Sequence, residues 1–155
     1  MLNLDTSDAP TRERPELHLE RHFPVPPEKV WRAWTDPQAL VHWFGPGVPD
    51  SVTHAEADVR MGGHFRIEFH TPDGEHHSVS GFYLDVAPPR RLQFSWAWRS
   101  TPERESLVTI DFVKTPTGTR MNFVHSQFFD QAARDGHEGG WTLTFEKLAH
   151  LLQQP

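Results

Sequence analysis

Hydrophobic and polar positions change period along the chain, and the changes mark its elements. From Leu17 to Phe23 they alternate, with Leu17, Leu19 and Phe23 set against His18, Glu20 and His22. Such alternation predicts a half-buried strand. Pro24-Val25-Pro26-Pro27 ends it. Pro26 or Pro27 can open a helix, because a missing N–H costs nothing in the first turn. Val30, Ala33 and Trp34 then recur at helical spacing. Thr35-Asp36-Pro37 stops that helix and starts a short second one, to about His42, with Asp36 as cap and Pro37 as first residue. Trp43-Phe44-Gly45-Pro46-Gly47 reads as a loop carrying two aromatics.

The period of two then returns. One strand is expected between Ser51 and Val59 and another over His64 to His70. In the latter, Phe65, Ile67 and Phe69 share a face opposite His64, Arg66, Glu68 and His70. Further strands are predicted from His76 to about Val86, along Leu92, Phe94, Trp96 and Trp98, along Val108, Ile110 and Phe112, and along Met121, Phe123 and His125. Met61-Gly62-Gly63, Pro72-Asp73-Gly74, Pro88-Pro89 and Pro116-Thr117-Gly118 supply the turns. Strands this close imply an antiparallel meander. After Asp130, a plausible cap, the period becomes helical from Gln131. Trp141, Phe145, Leu148 and Leu152 form one narrow stripe, with His137 one turn earlier. Gly139-Gly140 falls inside this helix, where it costs stability and predicts a kink or a close backbone approach. The order is strand, two short helices, six strands and one long helix, an α+β architecture. A curved sheet around a single helix leaves a gap between them.

Composition narrows the chemistry. The 155 residues suit one domain, 16–155, after a polar leader over 1–15 that is expected to be loosely held. Only 36% of residues are hydrophobic, yet 6 Trp and 11 Phe are among them, so large flat rings must fill the interior. The absence of Cys excludes disulfides, thiol nucleophiles and thiolate metal sites, and fits a cytoplasmic protein. A net charge of −6 argues against a nucleic-acid partner. No apolar run reaches membrane-spanning length, and Met1 to Pro15 has no signal-peptide core.

Several segments together resemble a known family. Arg32-Ala-Trp-Thr-Asp-Pro-Gln-Ala-Leu followed by Trp43-Phe44 resembles its helical hairpin. Asp58-Val-Arg-Met-Gly-Gly63 resembles its glycine turn. Gly81-Phe-Tyr-Leu-Asp-Val-Ala-Pro-Pro-Arg-Arg-Leu92 with Phe94-Ser-Trp96 resembles its central hairpin, and His137-Glu-Gly-Gly-Trp141 with Leu148 and Leu152 its last helix. The sequence is similar, from about Leu17 to Leu152, to the bacterial Aha-type family, named for homology to the heat-shock-protein ATPase activator. That family lies within the START-related, Bet v-like (SRPBCC) superfamily. The resemblance implies a helix-grip fold: a seven-stranded curved antiparallel sheet around the C-terminal helix. It also implies a deep apolar cavity for a small hydrophobic molecule such as a lipid, polyketide or aromatic metabolite. It implies no cofactor. A further alternative, a chaperone co-factor of the heat-shock-protein ATPase activator type, is disfavoured, because the activator's separate N-terminal domain and its Asn- and Trp-rich motif have no counterpart here.

The residues expected to face that cavity are Trp43, Phe44, Phe65, Ile67, Phe69, Tyr83, Phe94, Trp96, Ile110, Met121, Phe123, His125, His137, Trp141 and Phe145. Most of these are core in any fold of this type. Tyr83, His125 and His137 stand out as polar groups. An alternative reading makes the protein a cyclase- or hydrolase-like enzyme with Tyr83 and His125 as acid and base, and Asp85 or Glu56 tuning the imidazole. A binder is favoured over an enzyme, because nothing in the sequence fixes those distances. The 11 His include no helical metal-binding spacing, so a metal site is not expected; His64, His70 and the His76-His77 pair are read as surface residues. Edge strands leave pairing into a homodimer open.

Overall fold

The computed structural model describes residues 14–154. The first strand, β1 (Leu17–Phe23), precedes two short helices, α1 (Pro27–Thr35) and α2 (Pro37–Trp43). Six strands follow: β2 (Val52–Ala57), β3 (His64–His70), β4 (His76–Ala87), β5 (Arg91–Trp98), β6 (Ser106–Thr115) and β7 (Gly118–Ser126). The last element is α3 (Gln131–Leu152). The strands form one antiparallel sheet in the order β1-β7-β6-β5-β4-β3-β2. Every neighbouring pair except β1–β7 is consecutive in sequence, as a meander requires. This is the α+β helix-grip architecture expected from the sequence. The expected leader lies outside the described residues over 1–13. Its last two residues are tied down: Arg14 donates from Nε to the Phe128 carbonyl, and the Phe128 N–H donates to the Pro15 carbonyl.

Local chemistry accounts for the boundaries. Pro27 opens α1, and the Asp36 carboxylate caps α2 by accepting the Gln38 N–H at 2.9 Å. Asp130 caps α3 by accepting the Ala133 N–H at 2.8 Å. Such caps contribute about 1 kcal/mol each. The register between β4 and β5 shifts between Tyr83 and Asp85, and no residues pair between Ser80↔Ala97 and Tyr83↔Phe94. There the Phe82 N–H bonds the Ser95 hydroxyl. A Cβ at Gly81 would lie 1.9 Å from the Ser95 carbonyl oxygen, so only glycine fits this crossing.

The core runs between the concave sheet face and α3. Trp141, Phe145, Leu148 and Leu152 are buried, as their stripe predicts. Trp34 of α1 sits at the centre, with Trp43, Phe94, Phe123, Trp141 and Phe145 around it at ring-centroid distances of 4.8 to 6.3 Å. Offset and edge-on ring pairs of this kind add about 0.5–1.5 kcal/mol each beyond the area they bury. One expectation needs correcting: α3 is a continuous helix through Gly139-Gly140. A Cβ at Gly139 would meet nothing within 4 Å, and one at Gly140 only Pro46 Cβ at 3.9 Å. The glycines mark open space rather than a kink or a tight crossing.

Candidate functional site

The space between sheet and helix is not uniform. Beneath the C-terminal half of α3 the rings pack solidly. Beneath its N-terminal half lies a cleft of about 450 Å³. The helix contributes Ala132, Ala133, Gly136, His137, Gly140, Trp141 and Thr144 to its wall. These positions repeat at helical spacing and are mostly small. β5 contributes Trp96 and Trp98, β3 contributes Phe69, β4 contributes His77, and Phe44-Gly45-Pro46 closes one end. Thr71 and Ser100 complete the lining. None of the lining residues is Asp, Glu, Lys or Arg.

Of the residues expected at the cavity, Phe44, Phe69, Trp96, His137 and Trp141 line this cleft. Phe65, Ile67, Tyr83 and Phe94, with Phe44 and Trp96, wall a separate void of about 20 Å³. Ile110, Met121, Phe123 and Phe145 are packed core, and His125 is fully buried among them. Trp43 closes α2 and is fully buried, its indole N–H donating to the Ala33 carbonyl at 2.9 Å. Trp98 belongs to the alternating row of Leu92, Phe94 and Trp96 but is not among the expected lining residues, and His77, expected at the surface, lines the cleft instead because it shares the inward parity of Val79 and Tyr83. Strand parity had no means to find Gly136, Gly140 and the alanines, because a small residue leaves no hydrophobic signal. The spacing of 132, 136, 140 and 144 along α3 was the available clue.

Both interior histidines are fixed by tryptophan. The Trp141 indole N–H donates to His125 Nδ1 at 3.1 Å. Nδ1 therefore carries no proton, and Nε2–H donates to the Ser106 hydroxyl at 2.7 Å. The Trp98 indole N–H donates to His137 Nε2 at 3.0 Å, which leaves Nδ1–H to donate to the Ala133 carbonyl at 2.7 Å. Both rings are neutral in this arrangement. Burial, with a smaller effect of neighbouring His137, holds His125 well below its ordinary value. Burial lowers His137 too, opposed by its bond to the Ala133 carbonyl. Ser106 and His125 thus touch without forming a nucleophile–base pair, since the imidazole is the donor.

Tyr83 and His125 do not meet. They lie on one cross-strand row through Tyr83↔Phe94, Phe94↔Val108 and Val108↔His125. Three strand spacings put their backbones roughly 14 Å apart. Burial pushes the Tyr83 phenol well above its ordinary value, with the charge of Asp58 adding to it. The carboxylates considered for tuning His125 are engaged elsewhere. Glu56 accepts from His54 at 2.7 Å and faces Arg66, and Asp85 pairs with Arg91 at 3.0 Å. His76 lies 3.6 Å from Glu68. Among the described residues no group of three potential metal ligands converges. No helix among them is long and apolar enough to cross a membrane.

A second groove of about 580 Å³ lies between α2 and the end of α3. It is larger, but His42, Asp50, Glu146, Lys147 and His150 line it, so a buried apolar ligand there would desolvate charged groups.

A sheet gripping one long helix, with an aromatic cleft between them, defines a class of folds that enclose small molecules. Within it, the model of the AHSA1 family, described as "Activator of Hsp90 ATPase homolog 1-like protein", matches residues 24–153, and the chain belongs to that family. Solved structures agree. A protein from Nitrosomonas europaea is 29% identical, with a TM-score of 0.76 over 90% of this chain and 94% of that one. An AHSA1 protein from Silicibacter pomeroyi is 30% identical, with a TM-score of 0.73 over 89% and 97%. A protein from Rhizobium leguminosarum is 29% identical, with a TM-score of 0.75 over 92% and 97%. Comparison with curated proteins finds no match.

Proposed function

We propose that the protein binds a small, uncharged aromatic molecule in the cleft under the N-terminal half of α3. The observation that carries this reading is the wall itself: five aromatic rings, from Phe44, Phe69, Trp96, Trp98 and Trp141, around about 450 Å³ with no ionic side chain. Apolar area removed from water contributes about 25 cal/mol per Å² before the costs of association. His77, Thr71 and Ser100 offer the few polar contacts that would orient a ligand. The cleft's size suits an aromatic metabolite or polyketide-like ring system better than a long lipid chain. Binding is favoured over catalysis because both interior imidazoles have their lone pairs occupied by indole donors. A general base needs a free lone pair within reach of the proton it takes.

Thermal denaturation with and without naphthalene tests the reading. A ligand that binds only the native state raises the melting temperature as its concentration exceeds Kd. Gly140→Leu should abolish that rise. A Cβ at position 140 fits against Pro46 at 3.9 Å, and the rest of the side chain would occupy the cleft. An equal rise in wild type and variant would place binding elsewhere.

A further inference from the structure

Five of the six indoles divide by what their N–H groups find. Those of Trp43, Trp98 and Trp141 each donate to a protein acceptor, the Ala33 carbonyl, His137 and His125 respectively. Those of Trp34 and Trp96 have none, although both residues are only 3% exposed. A buried donor without an acceptor costs as much as the desolvation it suffered, so native interiors rarely hold one, and two adjoining one space are rarer.

Trp34 and Trp96 both wall the void of about 20 Å³, which has room for about one water-sized oxygen. Apart from Tyr83, its other walls are hydrocarbon. The void borders the cleft, because Phe44 and Trp96 line both. No Asp, Glu, Lys or Arg lines either space, and the void's only titratable wall is the Tyr83 phenol, so a carboxylate or ammonium seated in the void would be desolvated without a counter-charge.

We propose that the void seats one uncharged acceptor oxygen, held by the indole N–H groups of Trp34 and Trp96. The oxygen is that of a water in the unliganded protein and of a carbonyl at the leading end of a flat aromatic ligand in the complex. The ligand half of this rests on the cleft-binding reading above. It adds the ligand's chemical class: a neutral aromatic ketone or its equivalent, in preference to the hydrocarbon or the acid.

The test compares 2-acetylnaphthalene with 2-ethylnaphthalene, which differ in little but the carbonyl. Indole ¹⁵N–¹H spectra are read during each titration. The ketone should bind about tenfold tighter, because its carbonyl takes over both indole hydrogen bonds and releases the seated water, whose ordering costs entropy. It should move the Trp34 signal, which the hydrocarbon should leave in place. In Trp34→Phe the ketone's advantage should fall about threefold, one bond being lost. Equal affinity of the two probes in the wild-type protein overturns the proposal while leaving the cleft reading intact. Failure of both probes to bind overturns the cleft reading, and the seat is then judged on the unliganded protein. A crystal structure with an oxygen within hydrogen-bond distance of both Nε1 atoms supports it, and a dry void overturns it. These wild-type measurements stand even where Trp34→Phe does not fold.

Discussion

The two halves of α3 face the same sheet with different side chains. From Trp141 to Leu152 the helix presents Trp141, Phe145, Leu148 and Leu152, all buried, and the rings beneath fill the interior. From Ala132 to Gly140 it presents Ala132, Ala133, Gly136 and Gly140 around His137, and a cleft opens. The helix is continuous through both. Side-chain size, not a bend in the backbone, makes the difference. Each glycine in a helix interior sacrifices about 1 kcal/mol relative to alanine. Stability is thus given up in the half that faces the cleft and recovered in the half that is packed.

That comparison can be broken most severely in the packed half. Phe145 is 1% exposed, with Trp34, Phe123 and Trp141 rings around it. Phe145→Ala should cost about 3–5 kcal/mol in urea denaturation. A loss under about 1 kcal/mol would show that this half is loosely filled as well.

Acid should act where the two halves meet. His125 and His137 are held below their ordinary value of 6.5 in the folded protein and regain it on unfolding. Below pH 6.5 the unfolded chain therefore binds more protons than the native state. Their contribution to stability is complete above that value and is lost as pH falls toward the folded values. Each histidine steepens the loss by at most about 1.4 kcal/mol per pH unit. Urea melts at about pH 7.5 and about pH 5.5 measure it. His137→Asn, which removes one titrating group, should flatten the slope.

The smallest effect belongs to Gly139, which neighbours the cleft-lining Gly140 but does not line the cleft. Its Cβ position is open. Gly139→Ala should raise stability by about 0.5–1 kcal/mol and leave naphthalene binding unchanged. Set beside Gly140→Leu, it separates helix propensity from occupation of the cleft.

The sequence carried the fold because its periods are strong. Leu17–Phe23, His64–His70 and the Trp141 stripe each show their buried face directly, and Pro and Gly mark the turns between them. The site was less legible. Parity identified the concave face of the sheet, where Ile110, Met121 and Phe123 do lie, but it could not show that this part of the face is packed shut. The open part depends on what the helix lacks at 136 and 140. The pairing of Trp98 with His137 and of Trp141 with His125 spans residues 39 and 16 positions apart. Local pattern does not encode such pairs; they arise when strand and helix come together.

The six indole N–H groups offer the most direct test of the central claim, that ligand enters only under the N-terminal half of α3. Naphthalene should be titrated into ¹⁵N-labelled protein. The expected result is movement of the Trp96, Trp98 and Trp141 signals, whose rings line the cleft, with Trp31 and Trp43 unmoved, and no movement in Gly140→Leu. Movement of all six signals together, or the same shifts in Gly140→Leu, would contradict it.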